Sequence, residues 1–419
     1  MGIELYPRVF HSRGEQRVFV KLPEGAAEPT VKIQSMGHYS VPHVTYRIDE
    51  EDRCPYVALE HVDGDIYSCK YEFTGEGRYT VRIRLCDKVV YWGYVYALDS
   101  DLMCLNAYKG DTHLHSCRSD GTGTPFEVAC TYRAAGYDFM CLTDHHKYLP
   151  SIEARDAVSA LTDRFTVFPG EEVHNKHMGY FHIVGMNHNA SVNDIIETDD
   201  DYVAGCIEKI LKEREFPEGV DARAAAYRIF ISEHVRSFGG MVIMAHPFWD
   251  AYGEYNMQTA DCIYHLKSGD FDALELLAGN DNTGNGDNLE VALWADLRAE
   301  GVKINVLGAS DCHDPVGKNT RFNHNFSLVF TDNAQSVPDA IKAGMSVAVK
   351  RRTDADFEVF GSFRLVSYAR FLMQEFYPTY ASLTKAHAEA LAAADGAPTD
   401  EIRAAEQNID MYKEKFFAH

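Results

Sequence analysis

Two histidines, His113 and His115, stand two residues apart in the segment GDTHLHSCRSDG, and Asp120 stands five residues beyond the second. In an extended strand, residues i and i+2 point to the same side. Both imidazoles can therefore present a nitrogen to one point in space, which is the arrangement that a metal ion requires. A His-x-His pair alone is weak evidence, so the prediction of a metal site depends on ligand-type residues further along the chain.

Four further clusters of ligand-type residues occur downstream, and each stands at the end of a short, mostly apolar run. The clusters contain Asp144 and His145, then Glu172 and His182, then His246, and last Asp311 and His313. Such apolar runs are typical of strands that are buried on both faces, as in a parallel sheet or barrel. In barrels of that kind, the loops after the strands build the active site. The sequence therefore predicts a metal site with several ions at one end of a sheet.

The whole pattern resembles the polymerase-and-histidinol-phosphatase (PHP) family of metal-dependent phosphoesterases. The matching pieces are His113-x-His115, Asp120, Thr143-Asp144-His145, Gly170-x-Glu172, His182, Ala245-His246-Pro247 and Ser310-Asp311-x-His313. They occur in the family's order over the middle of the chain. The resemblance implies an α/β fold, a distorted (β/α)7 barrel with two or three divalent metal ions (Mn, Fe or Zn) at the C-terminal mouth of its strands.

The resemblance also implies how the ligands are shared among three metals. The expected sets are His113, His115, Glu172 and Asp311 for the first metal, His182 and His246 for the second, and Asp120, His145 and His313 for the third. Glu172 is the expected bridge, because a carboxylate has two oxygens that can each hold one ion. Mn, Fe and Zn accept such mixed imidazole and carboxylate shells. All of these residues except His182 and His246 are also expected to be catalytic.

Other ligand-type residues near the motifs are expected to have other roles. Asp144 is expected to orient an imidazole rather than to bind metal, and Glu171 to point to the opposite face of the strand from Glu172. The remaining histidines and cysteines are expected to be exposed, hydrogen-bonded or packed beneath the site: His146, His174, His177, His188, Cys117 and Cys312.

The chemistry expected of such a site is hydrolysis. Metal-bound water loses its proton near neutral pH, and the other ions polarise phosphoryl oxygens. We expect a metal-bridging hydroxide to attack the phosphorus of a small phosphorylated metabolite, with a nucleotide as one option. Neither a G-x-S-x-G elbow nor a P-loop is present to suggest another nucleophile. The expected substrate contacts, chosen because they lie close to the motifs, are Arg133, Lys147, Lys318 and Arg321.

Two alternative functions remain open at this point. One is the hydrolysis of an amide, carbamate or carboxyl ester on the same metal platform. The other is a non-catalytic scaffold, which is disfavoured because every expected metal position carries a ligand-type residue. A fold by itself does not decide among them, because function depends on the site.

Composition limits the classes of partner. The formal net charge of −23 argues against binding to a nucleic-acid polymer, which needs a basic surface. Ten cysteines without a CxxC motif or a pairing framework favour reduced thiols in a cytoplasm. The N-terminus resembles no secretory signal, and no apolar run has the length of a membrane span. We therefore expect a cytoplasmic protein with a small-molecule substrate and no membrane contact.

The elements that must position the motifs fall into three segments. Residues 1–104, where 17–22, 43–48 and 79–85 alternate polar and apolar side chains, are expected to form a small antiparallel β-sandwich. Residues 105–360 are expected to form the barrel, with a helical excursion at 191–238. Residues 361–419 are expected to be helices that either pack against the barrel or form a homo-oligomer.

Within the barrel segment, several helices can be predicted with their ends. One is expected from Pro125 to Gly136 with Thr124 as its N-cap, and another from 288 to 300, closed by Gly301. The excursion is expected to contain two helices, at 201–215 and 221–237.

Overall fold

The computed structural model describes residues 2–37, 54–174, 182–251, 253–279, 285–317, 321–353 and 355–417. The chain divides into two compact units. The first comprises residues 1–106, 367–380 and 407–419, and the second comprises residues 107–366 and 381–406. The domain boundaries expected from the sequence, after residues 104 and 360, stay a prediction.

The first unit consists mainly of β-strands in two sheets. The strands are β1 (Glu4–Tyr6), β2 (Val9–His11), β3 (Arg13–Lys21), β4 (Pro29–Ser35), β5 (Val57–Ala58), β6 (Glu60–Asp63), β7 (Ile66–Thr74), β8 (Gly77–Leu85) and β9 (Lys88–Leu98). Their orders are β1-β3-β7-β6 and β2-β9-β8-β4-β5. The strand expected at 43–48 lies outside the described residues.

Alternating side chains give this unit its core. In β8, Tyr79, Val81 and Ile83 are buried while the residues between them are partly exposed. They pack in one hydrophobic cluster with residues of both sheets, including Val18 of β3 and Val95 of β9. Neighbouring strands are antiparallel in the described pairings except β2 and β9, which are parallel.

The second unit is a mixed α/β fold, which agrees with the fold class predicted from the sequence. Its strands are β10 (Asn106–Asp111), β11 (Phe139–Cys141), β12 (Thr166–Phe168), β13 (Gly170–Val173), β14 (Ile183–Met186), β15 (Met241–Met244), β16 (Asp250–Ala251), β17 (Glu254–Tyr255), β18 (Ala273–Ala278), β19 (Val306–Ala309), β20 (Asn325–Thr331), β21 (Ser346–Arg351) and β22 (Phe357–Phe360). The two larger sheets have the orders β12-β11-β10-β20-β21-β22 and β13-β14-β15-β18-β19. Within the described residues, these sheets are separate and do not close on themselves.

Helices connect these strands and continue to the C-terminus. They are α1 (Ser100–Met103), α2 (Pro125–Ala134), α3 (Leu149–Ser159), α4 (Val192–Thr198), α5 (Asp200–Glu213), α6 (Ala222–Ser237), α7 (Thr259–Ser268), α8 (Asn285–Ala299), α9 (Val337–Lys342), α10 (Phe363–Glu375), α11 (Tyr377–Ala393) and α12 (Asp400–Phe416). None of the helices in the described part of the chain combines the length and the apolar composition that a membrane crossing requires. All ten cysteines carry free thiols.

The predicted helix ends are confirmed where the capping chemistry is local. Thr124 accepts a hydrogen bond from the Glu127 N–H, and the Glu127 carboxylate accepts one from the Thr124 N–H, which together form a capping box. Gly136 comes after α2 with a φ of 88° and Gly301 comes after α8 with a φ of 89°. Both angles lie in the left-handed region that glycine adopts without strain.

The parallel pattern that the apolar runs suggest does not hold for every strand. β21 is antiparallel to both β20 and β22. β14 is antiparallel to both of its neighbours, β13 and β15. The physical reason is the short connection from β13 to β14, since a parallel crossover needs a dozen or more residues. Because β14 is reversed, its first residues lie at the same edge as the last residues of β15 and β18.

Two strands from different sheets approach closely at β19 and β20. The Ser327 hydroxyl bonds both the N–H and the C=O of Gly308, at 3.0 and 2.9 Å. A Cβ atom at Gly308 would lie only 2.4 Å from the Phe326 carbonyl oxygen. Gly308 therefore allows an edge of one sheet to lie against the other.

We predict that Gly308→Ala lowers the free energy of unfolding by about 1–3 kcal/mol, because an added methyl group would push β19 away from β20. Chemical denaturation would measure the change. Gly205→Ala, in the exposed part of α5 with no atom near the new Cβ, is the matched control and should gain about 0.5–1 kcal/mol. Equal effects of the two substitutions would contradict the close approach.

Arg133 requires a correction, because the structure does not bring it to the site as a substrate contact. Its side chain is buried in α2, where the guanidinium donates to Nδ1 of His387 (3.0 Å) and to the carbonyl of Tyr137 (2.8 Å). It also pairs with Asp138 at 3.3 Å. Arg133 is therefore a structural residue that ties α2 to α11 within the second unit.

This network gives a pH prediction. Burial and then the charge of Arg133 lower the pKa of His387 to about 3, whereas an unfolded histidine has a pKa of about 6.5. The unfolded chain therefore binds the extra proton, and the stability that neutral His387 contributes is present above pH ~6.5 and lost as the pH falls toward 3.

We predict that His387→Gln flattens the pH dependence of unfolding in that window, by up to about 1.4 kcal/mol per pH unit. Denaturation midpoints across the window would measure it, with the exposed His61→Gln as control. If the free energy of unfolding of His387→Gln depends on pH as steeply as that of the wild type, a group other than His387 takes up the proton on unfolding.

Candidate metal centre

The carboxylate of Glu172, in β13, lies at the centre of the predicted ligands. Its side chain is fully buried. Nδ1 of His182 lies 2.5 Å from one of its oxygens, and Nδ1 of His145 lies 2.6 Å from the other. Nε2 of His113 and of His246 approach within 3.4 and 3.5 Å. One carboxylate thus contacts imidazoles from several separate loops.

A second buried carboxylate, Asp311, stands after β19 and faces the same histidine pair. Its Oδ1 lies 2.9 Å from Nε2 of His115 and 3.2 Å from Nε2 of His113. Its Oδ2 lies 3.7 Å from Nε2 of His246. The two histidines of the His-x-His pair therefore do face one region, as the strand geometry predicts.

The remaining predicted ligands form an outer group that is open to solvent. Asp120 lies 3.5 Å from Nε2 of His145 and 3.5 Å from Nε2 of His313, and its side chain is 57% exposed. His145 is shared, since its Nδ1 faces Glu172 and its Nε2 faces Asp120. All nine predicted metal ligands are thus brought together.

Strand ends explain this convergence. β10 and β11 are neighbouring parallel strands, so the residues after them, His113 and His145, emerge at one edge. His182 reaches that edge because it precedes the reversed strand β14. Isolated bridges join Leu114 to Cys312 and His145 to Glu172, which link the loops of the two sheets at the site.

Three non-glycine residues in these loops have positive φ angles. They are His146 (58°), His246 (24°) and Asp311 (46°). Such angles cost free energy in an L-residue, on the order of 1–3 kcal/mol each, and persist only where surrounding contacts hold them. The loops that carry the predicted ligands therefore contain strained backbone that the surrounding contacts hold in place.

The carboxylates beside two predicted ligands have different tasks. Asp144 accepts hydrogen bonds from the backbone and hydroxyl of Ser116 and Ser119, at 2.6–3.1 Å. It thus fixes the loop after His115 rather than an imidazole, which differs from the expectation. Glu171 points away from Glu172, as expected, and accepts hydrogen bonds at the start of α4, including one from the Val192 N–H.

Two members of the site were missed by the sequence reasoning. His174 was expected to lie outside the ligand set, but its Nε2 lies 2.7 Å from Nδ1 of His145 and 3.6 Å from Glu172. Glu275 was not considered, and its Oε1 lies 2.9 Å from Nδ1 of His113. The sequence contains a signal for each: His174 stands two residues after Glu172, directly after β13, and Glu275 interrupts an apolar run.

The side chains of the other residues near the motifs make different contacts. His146 is partly exposed and lies 3.8 Å from Glu197, and buried His188 bonds the carbonyl of Ala190. Cys117 is exposed and Cys312 is buried. His177 and Lys318 lie outside the described residues, as does the side chain of Arg321.

A cavity of about 550 Å³ opens over the outer group. Its lining is Ser119, Asp120, His145, His146, Lys147, His174, His182, Trp249 and His313. Of the predicted substrate contacts, the structure therefore brings Lys147 to the mouth of the site, where its ammonium group also donates to the Arg118 carbonyl.

Charge compensation dominates the electrostatics of the site. Burial opposes the ionisation of Glu172 and Asp311, but the surrounding imidazoles outweigh it and hold both pKa values well below their usual range. Burial also opposes the charging of His113, yet Asp311, Glu275 and Glu172 raise its pKa well above the usual value. Against the same burial, contacts with Asp120 and Glu172 raise the pKa of His145 to about 10.

The residues fit a metal cluster. Three buried atoms that face this region make no hydrogen bond within the described part of the chain: His113 Nε2, His246 Nε2 and Asp311 Oδ2. Unsatisfied buried polar atoms are rare in native structures and call for an explanation such as an ion. Several sets of three or four of these side chains place their ligand atoms within 4.8 Å of one another. Imidazole nitrogens with carboxylate oxygens suit Zn, Mn or Fe.

Comparisons with solved structures give partial matches. In a search of solved structures, a two-domain protein from Bacteroides vulgatus that contains a predicted PHP-like metal-dependent phosphoesterase matches with a TM-score of 0.42 and 18% identity, over 59% of this chain and 66% of that one. The chain is similar to a PHP-like protein. An amidohydrolase from Chromobacterium violaceum matches with a TM-score of 0.34 and 20% identity, over 49% of this chain and 88% of that one.

Sequence comparisons are more limited. No protein-family model matches the chain. The DNA polymerase/3'-5' exonuclease PolX of Bacillus subtilis is 31% identical in an alignment of 90 residues that covers 19% of this chain and 16% of that protein. The match thus spans less than a fifth of either protein.

The pKa shifts predict that divalent metal binding releases protons. His145, with a pKa of about 10, and His113 carry protons near pH 7 that a metal at these nitrogens must displace. The apparent affinity should therefore rise with pH. Calorimetric titration of the metal-free chain with Mn²⁺, in buffers of different ionisation enthalpy, would count the protons, and a heat that is the same in all buffers would contradict the prediction.

Proposed function

We propose that the chain is a metal-dependent hydrolase of the PHP type. In this proposal the second unit is a distorted (β/α)7 barrel, and the two sheets of the first unit form a β-sandwich. The close approach of β19, an edge strand of one larger sheet, to β20 of the other supports the barrel, since it places the two sheets in contact.

The single observation that carries the proposal is the burial of Glu172 among imidazoles from separate strand ends. A hydrogen-bonded core would satisfy such groups, whereas here Nε2 of His113, Nε2 of His246 and Oδ2 of Asp311 make no hydrogen bond within the described part of the chain. Each unsatisfied buried group costs free energy, so the arrangement destabilises the metal-free fold. The same atoms are available to bind a metal ion.

The proposed ligand sets are consistent with the geometry of the site. Glu172 would bridge, with His113, His115 and Asp311 on one side and His182 and His246 on the other. Asp120, His145 and His313 would hold a further ion at the mouth. His174 lies within reach of the same region as His182 and is a candidate additional ligand.

The chain's own residues would bind and orient the substrate at the mouth. When bound, divalent ions supply an activated water and polarise the oxygens of the substrate. Lys147 places a positive charge beside the outer ligands, where a phosphoryl oxygen could be held. Trp249 lines the same cavity and offers an apolar face to the remainder of a small molecule.

A small phosphorylated metabolite, such as a nucleotide or sugar phosphate, is the proposed substrate. The lysine at the mouth supports a phosphate group. The same cavity, with its indole, also suits an amide, carbamate or carboxyl ester, which is the second candidate. The high net negative charge continues to argue against a nucleic-acid polymer.

We predict that Mn²⁺-loaded protein releases phosphate from at least one member of a panel of nucleotides, sugar phosphates and histidinol phosphate. His145→Ala should lower the rate by at least about 100-fold, because His145 contacts both the inner and the outer ligand groups. Phosphate release would be measured by a colorimetric assay.

His61→Ala, at an exposed position of the first unit, is the control and should leave the rate unchanged. A panel of 4-nitrophenyl carboxyl esters and carbamates is assayed in parallel. Hydrolysis of these esters without phosphate release would favour the second candidate. Metal-loaded protein that hydrolyses neither panel would count against a hydrolase.

A further inference from the structure

We infer that Glu275 is a positioning residue of the metal centre, an inference that rests on the proposed metal-dependent function. Its one carboxylate holds the side chain of His113 and the main chain of His246, and it thereby sets the geometry of two proposed ligands at once. It lies in β18 and its side chain is fully buried.

The first contact fixes which nitrogen of His113 faces the cluster. Oε1 of Glu275 lies 2.9 Å from Nδ1 of His113. A carboxylate only accepts, so Nδ1 must carry the hydrogen. In a neutral imidazole the lone pair then lies on Nε2, which is the atom 3.2 Å from Asp311 and 3.4 Å from Glu172. Glu275 thus selects the tautomer in which His113 can bind a metal.

The second contact holds a strained turn. Oε2 of Glu275 accepts a hydrogen bond of 3.1 Å from the backbone N–H of His246. His246 has a φ of 24° and directly precedes a proline. Because such a backbone relaxes unless neighbouring groups hold it, the carboxylate keeps Nε2 of His246 aimed at Glu172, 3.5 Å away.

The local strand geometry is built for this side chain. Glu275 stands among Leu274, Leu276 and Leu277, which are all buried in the apolar core. The register of β18 against β19 shifts between Glu275 and Leu277. Bulges of this kind re-aim side chains, often beside active sites. An ionisable group in an apolar strand is costly, and its two contacts to proposed ligands account for its presence.

Glu275→Gln separates this role from simple packing. Glutamine keeps the volume but has one acceptor oxygen and one donor amide, so it cannot accept from both His113 Nδ1–H and His246 N–H. We expect the Mn²⁺ affinity of the full chain to fall about 10–100-fold, which is typical when a carboxylate that orients a metal-binding histidine is removed. The absorption bands of the Co²⁺-loaded variant should also change, since they report ligand geometry.

Asp261→Asn is the matched control. Asp261, in α7, is also buried, and its carboxylate also accepts from one backbone N–H, that of Asp221 (3.0 Å), and from one side chain, that of Arg228 (2.7 Å). We expect this variant to lose thermal stability while its Mn²⁺ affinity and Co²⁺ spectrum remain those of the wild type. A merely structural role of Glu275 would give the same behaviour as Asp261→Asn.

The outcomes are distinguishable. Wild-type affinity and an unchanged cobalt spectrum in Glu275→Gln would overturn the positioning role alone. A wild-type chain that binds metal but hydrolyses nothing would overturn only the hydrolase proposal, and one that binds no metal would overturn both. If Glu275→Gln does not fold, Glu275→Asp replaces it, because its oxygens are drawn back by one methylene; unchanged affinity and spectrum there would equally overturn the role.

Discussion

The burial of the Glu172 carboxylate is the constraint on which the site depends. A carboxylate removed from water costs several kcal/mol unless opposite charges and hydrogen-bond donors surround it. Here the compensation comes from imidazoles that belong to different strand ends, so the sheets must bring those ends together. The reversed strand β14, the bridge from His145 to Glu172 and the strained turn at His246 all serve that convergence.

The same constraint couples metal binding to the fold. Without a metal, the cluster is balanced only when protons sit on imidazoles such as His113 and His145. A divalent ion can replace those protons and satisfy atoms that otherwise lack a partner, so its binding free energy adds to the stability of the folded chain. The loops that carry the ligands are therefore expected to become more rigid with metal than without it.

The sequence predicted which residues converge better than it predicted their surroundings, and the reason is physical. Ligands at the ends of apolar runs are recognisable because each run and its terminal residue are contiguous. His174 was missed although the i, i+2 rule that selects His115 after His113 applies equally to His174 after Glu172. Glu275 was missed because it lies within a strand rather than at its end.

Other misjudgements have a common cause. Arg133 was chosen because it is near a motif in the chain, but α2 turns that side chain into the core, toward His387. Asp144 was expected to serve an imidazole, whereas its neighbours in space are Ser116 and Ser119. The direction of β14 could have been predicted, since so short a connection allows only an antiparallel strand. Sequence proximity thus locates strand ends, but only packing decides where a side chain points.

The inner and outer predicted ligands differ in their exposure to solvent. Glu172, His113 and Asp311 are almost fully excluded from solvent, whereas the Asp120 side chain is 57% exposed and His313 is 31% exposed. Electrostatic attraction is much stronger in the dry interior than in water, so the inner ligands would retain an ion that the outer ones exchange. The cavity in the described part of the chain opens on the outer side. In the proposed metal centre the buried ligands would therefore determine how firmly an ion is held, and the exposed ones would determine access to it.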